Sequence, residues 1–153
     1  MQVSIYPKKA VESLLRLGSR DKVAVISFYD IGAETLDISS TKCEAIQISA
    51  EDIELYDLEQ LGLTYETYFP ESEIVAHFVF YAKAAGLEII CAFENEMGPS
   101  AGCAAAIRQF FDRDGIWVFA NHEYSPNRLV YHKILNALIE ESFERGDVPC
   151  RIN

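Results

Sequence analysis

Cys91, Glu94, Asn95, Glu96, Ser100 and Cys103 crowd into one short stretch between an apolar run, Ile89-Ile90-Cys91-Ala92-Phe93, and an alanine-rich one, Ala104-Ala105-Ala106-Ile107. A strand that turns into a helix at such a place offers unpaired amides and the positive end of a helix dipole, a natural seat for an anion. The turn here instead carries two carboxylates, Glu94 and Glu96. At ~5 Å and an effective dielectric of ~20, each would cost a bound unit anion about 3 kcal/mol. Paired carboxylates can instead do acid and base work on an uncharged or cationic substrate when their surroundings separate their pKa values, and Asp52, Glu94 and Glu96 are the candidates. Cys91 would be a nucleophile only as an accessible thiolate; inside an apolar run it reads as a small hydrophobe.

The elements that would position these groups follow from periodicity. Val23-Ala24-Val25-Ile26-Ser27-Phe28, followed by Asp30 and Gly32, reads as a buried strand, with Asp30 capping the loop behind it. Ala45 to Ile48 and Glu88 to Phe93 read as two more, Ile116 to Phe119 as a fourth, and Val3 to Ile5 as an edge strand. Helical spacing appears in Val11, Leu14, Leu15 and Leu17, closed by Gly18, and in Ile74, Val75, Phe78, Val79 and Ala82, between Pro70 and Gly86. A third helix begins near Pro99-Ser100 and runs through Ile107, Phe110 and Phe111; a fourth follows Pro126 and carries Leu129, Val130, Ile134, Leu135, Leu138 and Ile139. Strands alternating with helices imply an α/β fold with a mostly parallel sheet of four to five strands, covered on both faces.

Strand, loop and then Ser100-Ala101-Gly102-Cys103-Ala104-Ala105-Ala106-Ile107 opening a helix resembles the bacterial branch of the dual-specificity and tyrosine phosphatase family. The resemblance runs over nearly the whole chain, through Val25-Ile26-Ser27-Phe28-Tyr29-Asp30, Leu63-Thr64-Tyr65-Glu66-Thr67-Tyr68-Phe69-Pro70 and Ser125-Pro126-Asn127-Arg128-Leu129-Val130. It implies the cysteine-based phosphatase fold in a single domain spanning 1–153. The family's chemistry needs a low-pKa Cys thiolate, an Arg six positions later that forks the phosphoryl oxygens, and an Asp on another loop as general acid. On that frame the nucleophile position is Phe93, the Arg position is Pro99, and the glycine that lets the loop curl is Glu96. The general acid maps nearest to Asp52.

Each substitution also speaks for itself. Phe93 has no nucleophile, and Pro99 has neither a cation nor an N–H, although proline suits a first helical turn because that N–H would be unpaired anyway. No Arg occurs within the loop on a frame that starts at Cys91 either. The resemblance therefore implies a pseudophosphatase: a binding or regulatory module, without cofactor or metal, in which Glu94, Asn95, Glu96, Met97, Gly98 and Ser100 form the recognition loop, and Asp52 and Cys91 are vestigial. If active, it would be a tyrosine or dual-specificity phosphatase-like hydrolase. A hydrolase of altered chemistry using Cys91 or Asp52, Glu94 and Glu96 is one alternative; an acidic decoy that occupies a basic surface of a partner protein is another.

Composition narrows the partners. The chain has 153 residues, 13 basic and 24 acidic, for a net charge of −11, and half of its residues are apolar. That is enough for one packed core and too apolar for a disordered chain. Between Lys42 and Lys83 no basic residue occurs, while Glu44, Glu51, Asp52, Glu54, Asp57, Glu59, Glu66, Glu71 and Glu73 do. Such a field repels phosphate backbones and argues against direct nucleic-acid binding. Apolar stretches such as Val23 to Phe28 are far below the ~20 residues of a membrane span. The N-terminus lacks the pattern of a signal peptide, so a cytoplasmic location is expected. Cys43, Cys91, Cys103 and Cys150 are spaced for neither zinc nor a disulfide framework, and His77, His122 and His132 show no i, i+4 pairing. Tyr56, Tyr65, Tyr68, Phe69, Tyr81, Phe93, Tyr124 and Tyr131 are many aromatics in and around the loop; most are expected in the core, and a few exposed in a cleft without basic groups would favour a protein or uncharged ligand over phosphate.

Overall fold

The computed structural model describes residues 2–17, 22–29 and 43–146. Gly18, Asp30, Gly32 and Cys150 lie outside them. The elements run in the order β1 (Val3–Pro7), α1 (Lys8–Leu17), β2 (Val23–Tyr29), β3 (Glu44–Ser49), α2 (Asp57–Gln60), α3 (Ser72–Ala84), β4 (Glu88–Phe93), α4 (Gly98–Asp112), α5 (Ile116–Ala120) and α6 (Arg128–Glu144). Among the described residues one sheet forms, in the order β1-β4-β2-β3, and every neighbouring pair is parallel.

The two central strands are apolar at nearly every position because both of their faces are covered. Ala24, Ile26 and Phe28 of β2, with Ile89 and Cys91 of β4, point to the face packed by α3, α4 and α6. Val25, Ile90 and Ala92 point the other way, against Val11 and Leu15 of α1. Burying side chains such as Ile26 and Ile89 completely contributes ~1.5–3 kcal/mol each. Beyond the sheet, Phe80 meets the rings of Phe110 and Phe111 edge-on at 5.8 Å, locking α3 to α4. No described helix is long and apolar enough to cross a membrane.

Three expectations need correction. Ile116 to Phe119 is the helix α5 and not a strand. Arg113 closes α4 in a left-handed conformation, so the chain doubles back at once and has no length in which to reach the sheet. Only Val118 of this segment is buried, and it packs on Ala101 and Ala105 of α4 while Ile116 and Trp117 face outward. In α3 the buried stripe is Val75, Ala76, Val79, Phe80 and Ala82, leaving Ile74 exposed and Phe78 half-buried. In α1 only Val11 and Leu15 are buried, against Val25, Ile90 and Ala92 of the sheet, while Leu14 and Leu17 are exposed. The short helix α2, inside the acidic stretch, carries no periodic signal; Asp57 starts it by accepting a hydrogen bond from the Glu54 N–H at 3.0 Å.

Candidate functional site

The end of β4 and the start of α4 define the site. Phe93 closes the strand half-buried, Glu94 to Met97 cross the gap, and Gly98 and Pro99 open the helix. The helix starts cleanly: the Ala101 N–H donates to the Met97 carbonyl at 2.9 Å, and the buried Ser100 hydroxyl donates to the same oxygen at 2.8 Å. That bond commits Ser100 to the turn rather than to a ligand. Glu94 turns toward Lys8, 3.8 Å away through Oε1, while its Oε2 is buried with no hydrogen-bond partner. Asn95 and Glu96 are exposed. The cleft bounded by Phe28, Tyr29, Ala50, Glu94 to Glu96 and Pro99 has a volume of about 10 Å³, room for a single water.

Asp52 is brought to this place from the segment after β3, yet it does not line that cleft. Its carboxylate stands over the first residue of α4: a Cβ on Gly98 would fall 2.5 Å from both Oδ1 and Oδ2. Glycine at 98 is what admits the carboxylate. Asn127 holds it there, donating from Nδ2 to Asp52 Oδ1 at 2.7 Å and to the Ile53 carbonyl at 2.9 Å. The same residue caps α6, its Oδ1 accepting from the Val130 N–H at 2.9 Å, and its own N–H donates to the Gly98 carbonyl at 2.8 Å. Behind it, a Cβ on Gly102 would lie 2.5 Å from the Asn127 carbonyl, so α4 and α6 touch backbone to backbone. One buried asparagine therefore ties together the acidic segment, the loop helix and the last helix. Tyr68 secures the acidic segment from its other side, its hydroxyl donating to the Glu51 carbonyl at 2.5 Å. Burial first, then the nearby Asp52 and Glu51 carboxylates, pushes its phenol well above the ordinary tyrosine range.

Cys91 lies fully buried in the core beside Cys103, away from the loop surface. Burial, and then the neighbouring Cys91 thiol, raises the Cys103 thiol well above its usual range, the reverse of what an activated cysteine requires. Among the described residues no group of three or more His, Cys, Asp or Glu side chains could hold a metal ion. His77 instead contacts Glu141 at 3.3 Å and Arg145 at 3.3 Å on the surface. Of the aromatic residues expected around the loop, Tyr68 and Phe69 are buried in the core and Tyr56 and Tyr81 are exposed elsewhere; the rings that do line the cleft are Phe28 and Tyr29. Asn127 was not among the candidate site residues, although an asparagine just before an apolar helical run carries the local signature of a cap.

A parallel sheet whose β4 passes through a short loop into α4, with α3, α4 and α6 on one face and α1 on the other, is a phosphatase-like fold. No family model matches the chain, and no curated protein matches it. Among solved structures it is similar to Tk-PTP in its active form, with a TM-score of 0.56 and 14% identity over 92% of each chain. It is also similar to PTPMT1, with a TM-score of 0.54 and 13% identity over 96% of each chain. A complex of PTPMT1 with PI(5)P gives a TM-score of 0.53 at 13% identity, covering 95% of this chain and 94% of that one. These are protein tyrosine phosphatases, and at such identities the likeness is one of fold.

Proposed function

We propose that this chain is a pseudophosphatase, a phosphatase-fold protein without turnover that acts by binding another protein. One observation carries the reading: the Asp52 carboxylate takes the approach to the first turn of α4, at a loop where the frame implied by the resemblance puts Phe93 at the nucleophile position and Pro99 at the cation position. A phosphoryl dianion would meet negative charge and find no fork to hold it. The helix is retained because proline and Ser100 start it as well as the family's residues would. The exposed carboxylates Glu51, Glu54 and Glu59 of the acidic stretch that carries Asp52 suit a partner with a basic surface. The same acidic surface supports the second reading, a decoy for a basic binding face. The buried thiols of Cys91 and Cys103 are consistent with a reducing, cytoplasmic setting.

Hydrolysis of p-nitrophenyl phosphate is the test. No turnover above background is expected from the wild-type chain; turnover that disappears in Asp52→Ala or Cys91→Ala would defeat the proposal. The frame itself is tested by restoring it. Phe93→Cys, Glu96→Gly and Pro99→Arg together are expected to create vanadate binding, and a folded triple variant that binds no vanadate shows that the loop frame is wrong. Association that weakens steeply with salt supports the basic partner, and salt-independent association opposes it.

A further inference from the structure

Among the described residues, β1 has β4 on one side and an open edge on the other. The Gln2 carbonyl accepts from the Ile89 N–H at 3.0 Å, so Gln2, Ser4 and Tyr6 turn their backbone groups toward β4. By the same alternation the N–H and C=O groups of Val3 and Ile5 face outward, and no described residue pairs with them. Pro7 follows at the next outward position, where a missing N–H costs the sheet nothing and ends the row of donors. The edge thus offers a short pairing frame with a defined end.

A cavity of about 160 Å³ runs along this edge. Consecutive residues Val3 to Tyr6 all line it; because their side chains alternate between the two faces, the cavity must follow the strand's rim and not lie over one face. Its opposite wall is Arg108, Trp117 and Tyr124. Arg108 lies over the Trp117 ring, 4.6 Å from its centroid, and gives one terminal nitrogen to Asp114 at 2.5 Å. Its Nε is buried and has no partner. The Arg108 side chain is nevertheless 23% exposed, and a guanidinium with one arm paired can give its accessible edge to a second oxygen acceptor, which a carboxylate supplies in the planar geometry the fork prefers.

We infer that the open edge of β1 is a docking site for an extended peptide segment of a partner protein, its backbone pairing with Val3 and Ile5 and an acidic side chain seated on Arg108. Backbone pairing supplies register, Trp117 and Tyr124 hold the stem of the acidic residue, and Arg108 selects its charge. A free small carboxylate would use Arg108 and waste the strand edge; an uncharged strand would use the edge and leave the accessible side of the guanidinium unused.

The test titrates the full chain with the fluorescein-labelled peptide Thr-Val-Glu-Val-Thr-Val, read by anisotropy, beside a version with Gln for Glu and versions N-methylated at alternate amides. Saturable binding is expected, with slowed amide exchange at Val3 and Ile5. It should weaken by roughly tenfold for the Gln peptide, the cost of one lost charge-assisted pair, and equally for Arg108→Gln. One N-methylated register should abolish binding and the other leave it intact. Asp52→Asn should bind the peptide as the wild type does, which separates this surface from the loop site. No binding at ~1 mM peptide, a weak-affinity limit, would overturn the inference. So would equal binding of both N-methylated registers, or sedimentation showing that the edge is already used by a second copy of the chain. Because the peptide variants leave the protein untouched, a poorly folded Arg108 variant does not blunt the test.

Discussion

Helix α4 meets its surroundings very differently at its two ends. Its first turn has no cation, a proline where an N–H would be, and the Asp52 carboxylate laid against Gly98. Two turns further on, Arg108 holds a guanidinium with an unspent donor beside an open strand edge. The positive end of the helix dipole is thus answered by Asp52, whereas Arg108, paired with Asp114, keeps a donor without a partner at a place for which an anion-binding helix end has no use. On the proposed pseudophosphatase reading, the helix keeps its start, its packing and its place in the fold without the chemistry, because proline, glycine and small side chains satisfy the first three requirements and none of the last.

The sharpest way to break this contrast is Gly102→Ala. Its Cβ would strike the Asn127 backbone carbonyl at 2.5 Å, and backbone cannot rotate away. A loss of about 3 kcal/mol is expected from such overpacking, read as a lower denaturation midpoint with an unchanged slope. A variant as stable as the wild type would mean that α4 and α6 are not seated as described. Asn127→Ala comes next. It removes the cap on α6 and the tether to Asp52 and Ile53, and about 2 kcal/mol should be lost. In a cycle with Asp52→Ala the two losses should not add, since both variants break the same 2.7 Å bond.

Tyr68 gives a pH-dependent version of the same test. Its phenol is held neutral by burial and then by Asp52 and Glu51, so the folded chain retains a proton that the unfolded chain releases above about pH 10. Stability from this group is complete below that pH and falls as pH rises through it, by at most ~1.4 kcal/mol per pH unit. Urea midpoints for Tyr68→Phe should therefore be lower than wild type at pH 8, where the bond to the Glu51 carbonyl is missed, and the gap should narrow toward pH 11. A constant gap would show that Tyr68 is not shielded by the acidic segment.

Much of this arrangement can be read from local sequence, and the boundary of what can be read is physical. Val23 to Phe28 and Glu88 to Phe93 declare themselves as strands because central parallel strands are apolar throughout. Gly98-Pro99-Ser100 declares a helix start because capping is local. Ile116 to Phe119 misleads because four apolar residues have no period of their own; the turn at Arg113 and the alanine face of α4 decide their conformation. The site divides in the same way. Phe93 and Pro99 are legible as positions without chemistry, whereas the seat of Asp52 depends on Asn127, 75 residues away, and on the absence of a Cβ at Gly98 that would fall 2.5 Å from the carboxylate. Long-range hydrogen bonds leave no spacing in a sequence.

The smallest expected effect is also the most discriminating. Asp52→Asn removes the negative charge over Gly98 while keeping the side chain's size, and the variant can be titrated with sulfate and followed by thermal shift. If the first turn of α4 were an intact anion site merely plugged by Asp52, removing the plug would tighten sulfate by orders of magnitude. The structure argues otherwise: Pro99 still supplies no cation, the Ser100 hydroxyl is committed to the Met97 carbonyl, Glu94 remains beside the loop, and the cleft has room for one water at most. Relief of a single exposed like charge is worth about 1 kcal/mol, so less than roughly tenfold in affinity is expected. A gain of a hundredfold or more would show that the helix end kept its capacity for anions. The contrast between the two ends of α4 would then be one of occupancy, with Asp52 acting as a built-in competitor at a working site.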